Sequence, residues 1–228
     1  MKKFIFSCEH GGNKIPFEYN HLFEKQPEVL RSHEGWDIGI LEVAKTISNE
    51  REVPLFFSET TRLLVELNRS LGNPQLFSRF TASLSEKEKD FILLTYYYPY
   101  RKEVESKINE LLEAGNQVIH ISFHSFTPVF NGQVRSCDIG LLFDPAEPTE
   151  QEFCSRWQRT LSDLNSELVI KHNFPYQGVD DGFTTYLRTK LKEQEYSGIE
   201  LEVNQKHLLI PSSIRRIATY ISHSLANL

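Results

Sequence analysis

Residues 119–128 read Ile119-His120-Ile121-Ser122-Phe123-His124-Ser125-Phe126-Thr127-Pro128. Successive side chains of a strand point to opposite faces, so Ile119, Ile121 and Phe123 share one face and His120, Ser122 and His124 the other. With Val118 in front, the run Val118–Phe123 predicts a strand apolar enough to be covered on both sides. His124 falls at its exit. His120 lies deeper and reads as a histidine whose polar atoms are satisfied inside the core.

Working outward, similar apolar runs predict strands over Phe4–Cys8, Val53–Phe57, Leu63–Leu67, Ile139–Phe143 and Ile199–Val203. Amphipathic segments alternate with them. Ile40, Leu41, Val43, Ala44 and Ile47 form a helical stripe within Ile38–Asn49. Ser85 and Glu88 make a capping-box start for Glu86–Ala114, which Pro99 interrupts, predicting two helices or a kink. Gly115–Asn116 stop it before the next strand. Thr149–Leu164 and Pro211–Ala226 are the last two helices, the latter with proline in its first turn. The alternation predicts an α/β fold: a mixed, mostly parallel central sheet with helices on both faces, in one domain over residues 1–228. Ligands of such sheets bind beyond the carboxyl ends of the strands, which decides where polar residues are informative.

Composition narrows the function. The chain has 228 residues, 39% of them hydrophobic, with 25 basic against 31 acidic residues and a net charge of −6. That is a globular mixture rather than a disordered one, and its acidic excess argues against non-specific nucleic-acid binding. No run approaches the roughly 18 apolar residues of a membrane span. The start, MKKFIFSCEHGG, reaches an acid too soon for the apolar stretch of a secretory signal. Cys8, Cys137 and Cys154 are odd in number and widely spaced, with no zinc-knuckle or redox pair. The expectation is a cytoplasmic, reduced protein whose partner is a small molecule.

Strand ends supply the candidate chemistry. The first continues as Glu9-His10-Gly11-Gly12-Asn13, whose glycines let the backbone turn tightly and leave space beside the imidazole. A surface turn with an incidental histidine is the plainer alternative. His10 and His124 together make half of a metal site, because neutral imidazole nitrogen binds zinc well. Asp37, in the first turn of the helix carrying the stripe, points to the sheet side and is the choice for a third ligand. An acid placed there for the helix dipole is the alternative, and His33 and Glu34 compete for the same position.

Gly198–Gln205 puts Glu200, Glu202 and Asn204 on one face of a strand. Buried, that face is costly unless paired or functional; an edge strand with a solvated face is the other reading. Glu202, nearer the exit, suits taking a proton from a metal-activated water and returning it, with Glu200 as support. Arg62 and Glu66, four apart along the Leu63–Leu67 strand, read as an internal bridge. Arg69 and Asn68 are better placed for a ligand carboxylate, which a guanidinium grips in two places. Arg135 and Arg188 are further candidates.

The sequence resembles the N-formylglutamate amidohydrolase family through SCEHGGNKIP (7–16), HEGWDIG (33–39), TRLLVELNRS (61–70), HISFHSFTP (120–128), DIGLLFDP (138–145), NFPYQGVDDGFTTYLR (173–188) and GIELEVNQ (198–205). These blocks span nearly the whole chain in family order. The resemblance implies a phosphorylase/hydrolase-like α/β fold akin to zinc carboxypeptidases, one catalytic zinc, and hydrolysis of an amide on an acidic amino-acid derivative. It implies that His10, Asp37 and His124 bind the metal, that Glu202 is the late-strand glutamate, and that Arg69 closes the L-N-R block. Glu66 departs from the pattern, which often has aspartate there.

The leading hypothesis is a zinc-dependent hydrolase of an N-acyl (N-formyl) acidic amino acid such as N-formylglutamate, with the loops Thr127–Val134 and Phe174–Phe183 walling the pocket. Asn68, Arg69 and Arg135 would bind the substrate. One rival is a zinc amidase acting on muropeptides, by analogy of fold, against which the missing export signal counts. Another is a catalytically silent protein that holds acidic ligands with Arg69 and Arg135. Cys8 has no clear role as a nucleophile.

Overall fold

A computed structural model describes every residue except Glu193 and Asn227. Its strands are β1 (Lys2–Cys8), β2 (Leu55–Phe57), β3 (Gln117–Phe126), β4 (Val129–Phe130), β5 (Gln133–Val134), β6 (Ile139–Leu142), β7 (Ile170–His172) and β8 (Tyr196–Asn204). Six of them form one sheet in the order β2-β1-β3-β8-β6-β7. All neighbours run parallel except β6 against β8. The mixed, mostly parallel α/β sheet expected from the sequence is therefore present.

The helices are α1 (Ile40–Arg51), α2 (Glu86–Ile92), α3 (Tyr98–Glu113), α4 (Pro148–Leu164), α5 (Phe183–Arg188) and α6 (Pro211–Leu225). On one face of the sheet Ile119, Ile121 and Phe123 of β3 and Ile199, Leu201 and Val203 of β8 meet the apolar stripes of α1, α4 and α6. Tyr100, Val104 and Ile108 of α3 and Phe183 and Leu187 of α5 build the core of the opposite face. Both faces are covered, so the polar alternate positions His120, Ser122 and His124 of β3 and Glu202 of β8 are buried as well. Strand β8 pairs on both sides, which removes the edge-strand reading of its acidic face.

The structure corrects two expectations and refines a third. Leu63–Leu67 is not a strand; its backbone turns, with Leu64 N donating to Thr61 O at 3.0 Å and Arg69 N to Glu66 O at 3.3 Å. The run is apolar because the turn is buried from two sides, Leu63 against Phe23 and Val29 and its neighbours against the α3 core. The break in the long helical segment is a π-helical turn, Leu93–Tyr97, just ahead of Pro99, which lies in the first turn of α3 where its missing N–H is tolerated. The Ser85–Glu88 capping box does form at the start of α2. Finally, Asp37 stands before α1 rather than in its first turn, because Gly39 adopts φ +77° ahead of the first helical residue.

Candidate active site

Beyond the carboxyl ends of β1, β3 and β8 lies a cavity of about 150 Å³, lined by His10, Asp37, Asn68, Arg69, His124 and Glu202 among others. Register explains the convergence. His124 and Glu202 are cross-strand partners on β3 and β8, while His10 follows β1 by two residues. A Cβ on Gly12 would sit 2.5 Å from Glu59 O and one on Gly11 would sit 2.9 Å from Ser58 O, so the glycines after His10 permit close approach of the 58–59 backbone. Asp37 N donates to His10 O at 3.0 Å, which ties the acid to the same corner.

Asp37 Oδ2 lies 2.9 Å from His124 Nδ1 and 3.3 Å from His10 Nδ1. The three donor atoms fall within 4.8 Å of one another, all on buried residues. Ligands placed tetrahedrally around zinc at about 2.0 Å are roughly 3.3 Å apart, so the spacing suits one small cation. Each imidazole also presents its far nitrogen to a second carboxylate. His10 Nε2 meets Glu66, and His124 Nε2 lies 3.3 Å from Glu9 Oε2 and 2.9 Å from Ser122 Oγ. Imidazoles oriented by outer carboxylates are typical of metal ligands. Three buried acids, Glu9, Asp37 and Glu66, crowd here, two of them beside the guanidinium of Arg62, whose Nε is 2.7 Å from Glu66 Oε2 and whose Nη1 is 3.3 Å from Asp37 Oδ1. Donors, spacing and charge all fit a divalent metal ion. The competing ligands fall away: Glu34 pairs with Arg79 at the surface, and His33 is exposed beside Phe130.

Protonation follows from these contacts. Burial opposes ionisation of Asp37, Glu9 and Glu66, but the neighbouring imidazoles, with Arg62 for Asp37 and Glu66, hold all three well below the usual carboxylate range. Burial alone would lower His124, yet Asp37 and Glu9 raise it well above an ordinary histidine. Glu202 is the opposite case. Burial pushes its carboxyl up to about 8, against the pull of His124, and Asp37 and Glu200 add to the rise. Its Oε2 is sealed from solvent without a hydrogen-bond partner among the described residues.

The other predicted residues sort by position. Asn68 accepts from Phe183 N at 2.6 Å through Oδ1 and directs Nδ2 toward His124 Nε2 at 3.4 Å and Glu200 Oε1 at 3.5 Å. Arg69 lines the cavity and donates through Nη1 to Asn68 O and Asp181 O. The Arg62–Glu66 bridge forms, across a turn rather than along a strand. Arg135 lies outside the cavity lining, its guanidinium 4.5 Å from the Phe130 ring centroid and 5.3 Å from that of Tyr176, which does line the cavity. Arg188 is not available to a ligand. It is bound to Glu150 at 2.9 Å and to the carbonyls of Gly178 and Gly198 at 2.7 and 2.5 Å. His120 is a core residue, between Tyr196 Oη and Ser7 Oγ at 2.8 Å each. Glu9 was missed by sequence reasoning, although its place next to His10 at the end of an apolar strand was a signal.

A family model described as N-formylglutamate amidohydrolase matches residues 2–209. The structure is similar to a gene product from Agrobacterium tumefaciens, with 26% identity, a TM-score of 0.84, and coverage of 99% of this chain and 89% of that one. It is also similar in fold to N-formylglutamate amidohydrolase from Ralstonia eutropha JMP134, at 15% identity, a TM-score of 0.74, and coverage of 100% and 93%. No curated protein compared matches the sequence.

Proposed function

This chain belongs to the N-formylglutamate amidohydrolase family, and on that premise we propose that it is a zinc-dependent hydrolase of the amide bond in an N-acyl acidic amino acid such as N-formylglutamate. The observation that carries the proposal is the meeting of donor atoms of His10, Asp37 and His124, with Asp37 Oδ2 close to Nδ1 of both imidazoles, in the cavity that also holds Glu202. His10, Asp37 and His124 hold the metal. A zinc ion bound there would act as a Lewis acid toward the acyl carbonyl and lower the pKa of water. Glu202 takes the proton of the attacking water and returns it to the departing amine. Its raised proton affinity suits both halves of that cycle. Arg69 grips a substrate carboxylate through the guanidinium nitrogens not spent on carbonyls, with Asn68 beside it and Arg135 at the rim above Tyr176.

The cavity, about 150 Å³, is smaller than the roughly 300–1,000 Å³ typical of drug-sized ligands, which favours a small N-acyl amino acid over a muropeptide. Three free, buried cysteines accord with a reducing, cytoplasmic setting. Among the described residues no helix is long and apolar enough to cross a membrane. We take the chain as one domain around its sheet. The test is hydrolysis of N-formylglutamate by the zinc-loaded protein, followed as formate release. Release that stops on chelation and returns with zinc is expected. Hydrolysis of muropeptides but not of N-formylglutamate would contradict the substrate.

A further inference from the structure

Arg101 of α3 is only 4% exposed. Its Nη1 donates to the carbonyls of Leu67 and Arg69, both at 3.2 Å. The guanidinium lies 4.2, 4.4 and 4.9 Å from the ring centroids of Phe183, Tyr186 and Tyr97. Arginine–carboxylate bridges among the described residues involve Arg62, Arg79 and Arg188, not Arg101. Glu105, on the same helix, feels the charge of Arg101 without bridging it, and a buried cation without a bridging acid is costly. Among the described residues the Nε and Nη2 of Arg101 make no hydrogen bond and are not among the sealed atoms, and Arg101 lines a neighbouring cavity.

That cavity, of about 400 Å³, is walled by Leu71, Tyr97, Tyr98 and Tyr186 and also lined by Lys102. We infer that it is a second binding site, for a small carboxylate carrying an apolar ring or chain, and that its occupancy is felt at Arg69. The size falls within the range of ordinary ligand pockets. Aromatic walls suit an apolar body, and the free edge of a guanidinium suits a carboxylate. Two cations against Glu105 leave the lining net positive. The link to Arg69 is direct: Tyr97 Oη donates to Arg69 O at 2.7 Å while Tyr97 walls the second cavity. The site stands whether or not the cavity at Glu202 hydrolyses amides.

Phenylacetate and its neutral isostere phenylacetamide, titrated into the full chain and followed by NMR, test the assignment. Saturable binding of the acid roughly tenfold tighter than the amide is expected from the charge-assisted contact, with a shift of the Arg69 Nε–H resonance on saturation. Arg101→Met should abolish that preference, and Arg69→Met should leave it. Leu71→Trp, which fills the cavity without touching the guanidinium, should block binding and keeps the test open if Arg101→Met fails to fold. Equal affinity for acid and amide, or binding lost in Arg69→Met and kept in Leu71→Trp, would overturn the second site. An unmoved Arg69 resonance would overturn the link.

Discussion

Glu150, which packs beside β8, and Glu202, which lies on it, are both buried acids, and their surroundings are opposites. Glu150 accepts from Arg188 Nε at 2.9 Å, Gly198 N at 2.7 Å and Asp144 N at 2.9 Å, so its charge is fully answered. Glu202 has an unpartnered oxygen and a proton affinity raised by burial. The first arrangement ties α4, β8 and the 178–188 segment together. The second leaves a carboxyl free to gain and lose a proton, at a cost to stability. Burial alone does not distinguish a structural acid from a reactive one; the donors around it do.

The sharpest way to break this contrast is to neutralise Glu202. Glu202→Gln should slow turnover by about 10²–10⁴-fold while zinc stays bound, measured as formate release together with metal content. Undiminished turnover would remove Glu202 from the mechanism. Neutralising the answered acid should do the reverse. Glu150→Ala leaves Arg188 buried without its acid and should cost about 3–5 kcal/mol in urea unfolding, with kcat of the folded fraction changing far less than in Glu202→Gln.

The raised proton affinity of Glu202 should also show in the pH dependence of stability. The folded-state pKa of Glu202, about 8, lies above the ordinary 4.5. Below the lower value the carboxyl is protonated in both states and contributes nothing. Between the two values the folded state holds the extra proton, so stability falls as pH rises and levels off above the upper one. Chelated wild-type protein should therefore lose stability relative to Glu202→Gln across that window, read from urea midpoints. Parallel profiles would mean that the carboxyl is solvated. Smaller effects are expected around the metal ligands. Glu9→Gln should weaken zinc binding by roughly 10–100-fold, measured by competition with a chelator. Smallest is Arg69→Lys, which should raise KM about tenfold with little change in kcat, as expected when one geometry-specific carboxylate contact is lost.

The fold was legible where periodicity and burial agree. Alternation along β3 separated Ile121 and Phe123 from Ser122 and His124, and the α1 stripe of Ile40, Leu41, Val43, Ala44 and Ile47 is buried as expected. Periodicity failed at Leu63–Leu67, where an apolar run is buried by surrounding elements without being a strand. It also gave no sign of β7 or α5, which are short and held by tertiary contacts. The hairpin of β4 and β5 could have been seen, since Asn131 and Gly132 both take positive φ at its turn. The meeting of His10, His124 and Glu202 in one cavity was legible because the exits of strands select them, and that of Asp37 because the α1 stripe turns its helix toward the sheet. Glu9 was passed over although it stands beside His10. The contact of Glu66 with His10 was not legible, because a carboxylate turned toward an imidazole leaves no mark in spacing. Arg188 misled for the same reason: its partner Glu150 is far away in sequence.

The central claim is that one zinc ion joins His10, Asp37 and His124. Crystals of the zinc-loaded protein measured on both sides of the zinc absorption edge test it most directly. A single anomalous peak bonded to His10 Nδ1, Asp37 Oδ2 and His124 Nδ1, facing Glu202, is the predicted result. A peak held by other residues, or none in protein that still hydrolyses its substrate, would contradict the account.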